Sequence, residues 1–181
     1  CRDVVLERIE KYSIDCDLRF GFLDVAMNQG DIEEFHEWIE YKEKKNYPHK
    51  MEFIPKEKLH EHVGSERYIA GVVNYGNGHL HPLNLCIGEA RAITEQGGLI
   101  FEQSKVIKVK HGAKPQVIIE EGVINAKKVV LAGNAYLGKT EPKLEGSVIP
   151  AGSYIIATEP LSEDLANELL PSNMAVCDQR V

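Results

Sequence analysis

Lys127-Lys128-Val129-Val130-Leu131-Ala132-Gly133-Asn134-Ala135-Tyr136 is a short apolar run that stops on two residues with almost no side chain. Just upstream, Gly122-Val123-Ile124-Asn125-Ala126 reads as a short strand. The run Val129 to Leu131 predicts a fully buried strand, and Ala132 and Gly133 at its end let another group approach the backbone closely. Ligands of open α/β sheets sit beyond the carboxyl ends of strands, so the stretch reads as the edge of a nucleotide site. A tight strand-to-helix turn with no ligand accounts for the same residues equally well.

The chain around it has 181 residues, 43% hydrophobic and 27% charged, within the range of an ordinary soluble protein and long enough for one domain or two small ones. A net charge of −7 argues against a nucleic-acid or anionic-membrane surface. Lys42-Glu43-Lys44-Lys45 is too short and too mixed to change that, and reads as a solvated helix end. The four cysteines, Cys1, Cys16, Cys86 and Cys177, match no zinc spacing. Free thiols point to a reducing compartment, hence to the cytoplasm. No apolar run is long enough to span a membrane and no signal peptide is visible. The sequence opens on Cys1 inside a helical pattern and stops at Asp178-Gln179-Arg180-Val181, beside a strand pattern. We therefore expect an internal piece of a longer protein.

Val4, Val5, Ile9 and Tyr12 recur at helical spacing. Asp17 to Met27 predicts one long strand bent at Gly21. Asp31, with Glu34 three residues on, reads as the cap of a helix that runs to Tyr47-Pro48. Pro55 opens a short helix through Val63, with Ile54 and Leu59 facing the core. Tyr68 to Tyr75 is a strand, and Gly76-Asn77-Gly78-His79-Leu80-His81-Pro82 a turn-rich loop. Pro82 begins a helix whose apolar stripe is Leu83, Cys86, Ile87, Ala90 and Ile93, ended by Gly97-Gly98. Short strands follow at Leu99–Glu102, Lys105–Lys110, Gln116–Glu120, Val123–Ala126 and Val129–Ala132, giving a β-α-β start and a small meander. Ser147 to Thr158 predicts a further long strand with a break at Pro150 and Gly152. Glu163 to Leu169 is helical and Ala175 to Asp178 is a last strand. The fold class expected is α+β.

Two histidines, His79 and His81, flank a helix start in a glycine-rich loop. Histidine titrates near neutrality and serves as acid, base or ligand, so both are catalytic candidates; the pattern favours the other reading, in which they hydrogen-bond the free amides of the helix start. His60-Glu61-His62 is no metal motif, because residues two apart do not share a helix face. Gly152-Ser153-Tyr154 lacks the nucleophile elbow, and no Walker or Gly-x-Gly-x-x-Gly loop occurs. Residues alone thus reach a nucleotide-like strand end and a histidine-bearing loop, but no reaction.

The order of several segments carries more. Gly78-His79-Leu80-His81-Pro82-Leu83-Asn84-Leu85, Gly88-Glu89-Ala90-Arg91-Ala92 and Ile100-Phe101-Glu102-Gln103-Ser104-Lys105-Val106 come first. Val129 to Leu137 and Gly152-Ser153-Tyr154-Ile155-Ile156-Ala157-Thr158-Glu159-Pro160-Leu161 follow. Together they resemble the middle of the D-amino-acid-oxidase-type FAD-dependent oxidoreductases, in the branch of gamma-glutamylputrescine oxidoreductase.

The resemblance implies a piece of a two-domain flavoprotein. Residues 81–146 would belong to the FAD domain, and 1–80 and 147–181 to the mixed sheet of the substrate domain. It implies that the Val106 backbone contacts the adenine ring of FAD and that Ala132 and Gly133 pack beside the adenosine. It implies oxidation of a primary amine such as gamma-glutamylputrescine to an imine and aldehyde, with electrons passed to oxygen as peroxide. A role for His79 or His81 toward substrate or flavin is a guess beyond the resemblance. The family's N-terminal phosphate fingerprint, its acidic ribose-binding residue and its C-terminal closing segment are absent, so this chain alone should neither hold FAD tightly nor turn over. A non-catalytic α+β binding module and an FAD dehydrogenase with another electron acceptor are the alternatives.

Overall fold

The computed structural model describes residues 1–144, 146–149 and 151–178. It divides into a sheet unit, residues 1–98 with 158–181, and a meander unit, residues 99–157. The fold is α+β, as expected from the alternation of strand and helix patterns.

The sheet unit is built on β1 (Arg19–Ala26), β2 (Met51–Pro55), β3 (Ala70–His79) and β7 (Ala175–Asp178), in the order β2-β3-β1-β7. The first three are antiparallel neighbours, and β7 joins β1 in parallel, Phe22 opposite Ala175. The sheet is therefore mixed. Alternation along each strand gives it two apolar faces. On one, Leu23, Val25 and Val73 meet Ile54, Leu59 and Val63. On the other, Ala26, Ala70 and Val72 meet Phe35 of helix α2 (Gln29–Lys44). Leu23, Val25, Val72 and Val73 are fully enclosed, each contributing about 1.5–3 kcal/mol relative to exposure.

The expected bend at Gly21 is a bulge: the β1–β3 register shifts between Phe20 and Phe22, and Gly21 has φ +104°. A Cβ there would be strained and would stand 2.7 Å from Met174. Helix α2 starts a turn earlier than its sequence predicts. Asn28, not Asp31, is the cap; its side chain accepts from the Asp31 amide at 3.1 Å while Asp31 accepts from the Asn28 amide at 3.1 Å. The acidic residue thus closes the box from inside the helix. Strand β2 is not among the elements that the sequence pattern predicts: its alternation covers only Met51-Glu52-Phe53 before Ile54-Pro55. The turn after it, Lys56–Glu61, is a 3-10 helix that follows Pro55.

Two further expectations about the sheet unit are overturned. Gly76 to His79 form the end of β3, not a loop: Arg19 pairs with His79 and Phe20 with Gly78, and the ladder overrides the local turn propensity. Helix α3 (Pro82–Glu95) does start at Pro82, but its apolar stripe faces outward, with Leu83, Ile87 and Ile93 exposed. Its buried side is Gly88 and Ala92, because only small residues let it approach Ile14, which follows helix α1 (Arg2–Lys11). Helix α4 (Glu163–Leu169) and β7 lie where the periodicity places them.

The meander unit contains β4 (Val106–Lys110), β5 (Gln116–Ile119) and β6 (Gly122–Asn125), antiparallel in that order. The expected strands at Leu99–Glu102, Val129–Ala132 and Ser147–Thr158 are absent among the described residues. Strands need neighbours to pair with, and no described residue supplies one. Val129–Ala132 is accordingly not buried: Val130 is 86% exposed. Tyr154, Ile155 and Ile156 are almost wholly exposed. The break expected at Pro150 falls outside the described residues. No helix among the described residues is long and apolar enough to cross a membrane.

Candidate functional site

In the meander unit the irregular Val129–Gly133 stretch leads into a 3-10 segment, Asn134–Thr140. The Tyr136 amide donates to the Gly133 carbonyl at 2.9 Å, which turns the chain back. A Cβ on Gly133 would stand 2.7 Å from Leu137 Cδ2, so a small residue is what allows this return. The Thr140 hydroxyl then faces the Val106 carbonyl at 3.5 Å. Between the returning segment and β4 lies a cavity of about 420 Å³, in the range that holds small ligands. Val106, Ala132 and Gly133 all line it, with Val109 and Val117 as floor and Lys105 contributing a cation. The structure therefore brings Val106 together with Ala132 and Gly133, the three residues for which the resemblance implies cofactor contact, across a wide separation in sequence. Val129–Ala132 is an unpaired edge of this cavity, not a buried strand.

The two histidines part company. His81 is the cap of α3: its Nδ1 accepts the Asn84 amide at 3.2 Å. That is the helix-start role open to both histidines on sequence. His79 closes β3, and its Nε2 lies 2.9 Å from the Asn173 carbonyl, which fixes the proton on that nitrogen. His79 also lines a second cavity, about 360 Å³, in the sheet unit, with Phe20, Phe22, Leu80 and Arg2. The Arg2 guanidinium lies 5.4 Å from the Phe20 ring centre. This cavity is apolar with a cationic rim and has His79 in its lining; His81 is not part of it.

Two electrostatic features of the sheet were not legible in sequence. Asp24 on β1 is half withdrawn from water between β3 and β7, and burial pushes its carboxyl up to about 6. Glu52 on β2 accepts from Lys50 Nζ at 2.6 Å and from the Tyr75 hydroxyl at 3.0 Å. These donors, Lys50 first, hold its carboxyl below the usual range. The four cysteines are unpaired, with Cys16 alone buried.

All residues, 1–181, match the family model described as FAD dependent oxidoreductase. The chain belongs to that family. It is 41% identical to gamma-glutamylputrescine oxidoreductase of Escherichia coli (strain K12) over 181 residues, covering 97% of this chain and 41% of the relative. It is 38% identical to the probable oxidoreductase OrdL of Haemophilus influenzae, covering 99% of this chain and 43% of that protein. The chain thus spans about two fifths of the length of these curated relatives. Among solved structures it resembles glycine oxidase from Geobacillus kaustophilus, with a TM-score of 0.66 at 17% identity over 78% of this chain and 39% of that one. It also resembles L-proline dehydrogenase from P. horikoshii, with a TM-score of 0.61 at 23% identity over 75% and 38%. These likenesses establish a fold shared with parts of those two enzymes.

The meander cavity fits one end of the family's cofactor. An adenosine needs an apolar slot beside a strand backbone, and small side chains beside the sugar. Val106 at the start of β4, the valine floor and the Ala132-Gly133 edge supply these in one place. Nothing comparable for a pyrophosphate occurs in the sequence, which has no glycine-rich phosphate loop.

Proposed function

We infer that this chain is the middle part of an FAD-dependent oxidoreductase that oxidises a primary amine, with gamma-glutamylputrescine as the substrate of choice. The observation that carries the reading is the convergence of Val106, Ala132 and Gly133 on one cavity in a chain 41% identical to a gamma-glutamylputrescine oxidoreductase. FAD, when bound, supplies the redox chemistry by accepting a hydride from the carbon that bears the amine. The chain's own residues bind and orient. The Val106 peptide group reads the adenine edge, and Ala132 and Gly133 give the nucleotide room to reach the backbone. Residues 81–146 form part of the FAD domain, and 1–80 with 147–181 part of the substrate domain. In the latter, the aromatic cavity beside His79 excludes water from the alkyl part of an amine, and His79 faces the polar end. Water would hydrolyse the imine product to an aldehyde with release of ammonia, and oxygen would serve as the electron acceptor, giving peroxide. Unpaired cysteines fit a cytoplasmic location.

The test is the visible spectrum of the protein from the complete reading frame, before and after anaerobic gamma-glutamylputrescine. Flavin bands that bleach support cofactor and substrate together. Bands that persist reject this amine and keep the flavoprotein. A colourless protein that takes up no added FAD overturns the reading.

A further inference from the structure

Among the described residues Glu141 is the one buried acidic or basic residue, its side chain 7% exposed. It stands immediately after the 3-10 segment that forms one wall of the meander cavity. Its carboxylate Oε2 lies 2.6 Å from Nε2 of His111, the residue that follows the last position of β4. β4 is the opposite wall, so the contact ties together two walls thirty residues apart in sequence. The neighbouring tie, Thr140 to the Val106 carbonyl, is 3.5 Å long, at the outer limit of a hydrogen bond. Of the two, only the His111–Glu141 contact is short and charge-assisted.

We propose that His111 and Glu141 are positioning residues for the adenosine end of the cofactor. They act through the wall they hold and touch no ligand themselves. His111 Nε2–H donates to the Glu141 carboxylate and lets that charge stay buried. Without the donor the carboxylate is left unpaired in a dry place, which is costly, and it escapes by swinging toward water. Thr140 and the Asn134–Thr140 segment move with it, and the spacing between Gly133 and Val106 is lost. The assignment rests on the flavoprotein reading above, but it adds a pair that touches neither the Val106 peptide nor the small residues.

The experiment uses apoprotein prepared from the complete reading frame, titrated with FAD, with ADP and with FMN. His111→Ala should weaken FAD and ADP binding about tenfold and leave FMN binding unchanged. His111→Gln, whose amide nitrogen takes the place of Nε2, should recover both to within about twofold of wild type. Unchanged FAD binding in His111→Ala overturns the assignment, as does a loss that His111→Gln does not recover or one that extends equally to FMN. A wild-type protein that binds no FAD overturns the flavoprotein reading, and this assignment with it.

Discussion

Gly88 on α3 lies directly against the side chain of Ile14: a Cβ built at Gly88 would overlap Ile14 Cγ2. Glycine inside a helix costs about 0.5–1 kcal/mol relative to alanine, so its place here is explained by the contact. Two flanking contacts reinforce the same approach. Arg8 reaches Glu89 at 2.9 Å, and Arg91 donates to the Tyr12 carbonyl at 2.9 Å. Gly88→Ala should therefore destabilise the protein by about 1–3 kcal/mol despite its better helix propensity. Chemical denaturation checks this; a gain in stability would mean that α3 does not dock on Ile14.

Asn74 is 2% exposed in the middle of β3, and its Oδ1 accepts from the Gly76 amide at 2.9 Å and the Tyr47 hydroxyl at 3.1 Å. Asn74→Ala strands a buried backbone donor and should cost about 1–3 kcal/mol. Tyr47→Phe removes only the second bond and should cost about 1 kcal/mol. Equal losses in the two variants would show that the Gly76 amide has another acceptor.

The raised carboxyl of Asp24 gives stability a definite pH slope. Its folded value, about 6, lies above the ordinary aspartate value of 3.8, so the native state binds the extra proton between the two. Stability from this group falls as pH rises through that window and stays lost above it. Asp24→Asn should be more stable than wild type at pH 8, by about 1 kcal/mol once solvent screening of a partly exposed group is discounted. The two should match at about pH 3, below both values. Glu52 works in the opposite sense, with stability that is lost as pH falls, and the comparison of variant with wild type cancels it. Melting temperatures measured from acid to mildly alkaline pH decide the matter, and a constant difference between the two proteins would reject the raised value.

His81 and His79 should separate in experiment as they do in the fold. His81→Ala removes the cap of α3 and should lower stability by about 0.5–2 kcal/mol, while His81→Asn should restore most of it. His79→Ala should instead weaken amine binding by the complete protein, read as a rise in KM with the α3 cap intact. A normal KM in His79→Ala would remove His79 from the substrate site.

How far the sequence could be read depended on whether a feature is local. Pro82 at the start of α3 and the Glu163–Leu169 pattern were legible because a helix satisfies its own backbone and needs only its own residues. The Gly21 bulge was legible because a glycine inside a strand pattern commonly marks a bulge or a bend. Val129–Ala132 and Ser147–Thr158 defeat the sequence pattern for the converse reason. Their residues favour extended backbone, but pairing depends on a neighbour that composition does not reveal. Gly76 to His79 depart in the other direction, since Arg19 and Phe20 draw turn-prone residues into a ladder. Ala132 and Gly133 stand out locally, as small residues ending an apolar run, whereas Val106 carries no such mark and its adenine role rests on family resemblance alone. His111 and Glu141 left no signal at all, because a lone histidine and a lone glutamate thirty residues apart share no local pattern.

The parallel pairing of Phe22 with Ala175 constrains the order of assembly. Strands β1, β2 and β3 can meet soon after they leave the ribosome, since their pairings are antiparallel and comparatively close in sequence. The fourth strand cannot arrive until the whole meander unit has been synthesised. Until then β1 presents a row of unpaired amides and carbonyls along a hydrophobic edge, open to any passing extended chain. Closing so long a loop makes this step slow relative to the hairpin pairings. A nascent chain stalled before Ala175 should therefore be the species most in need of a chaperone.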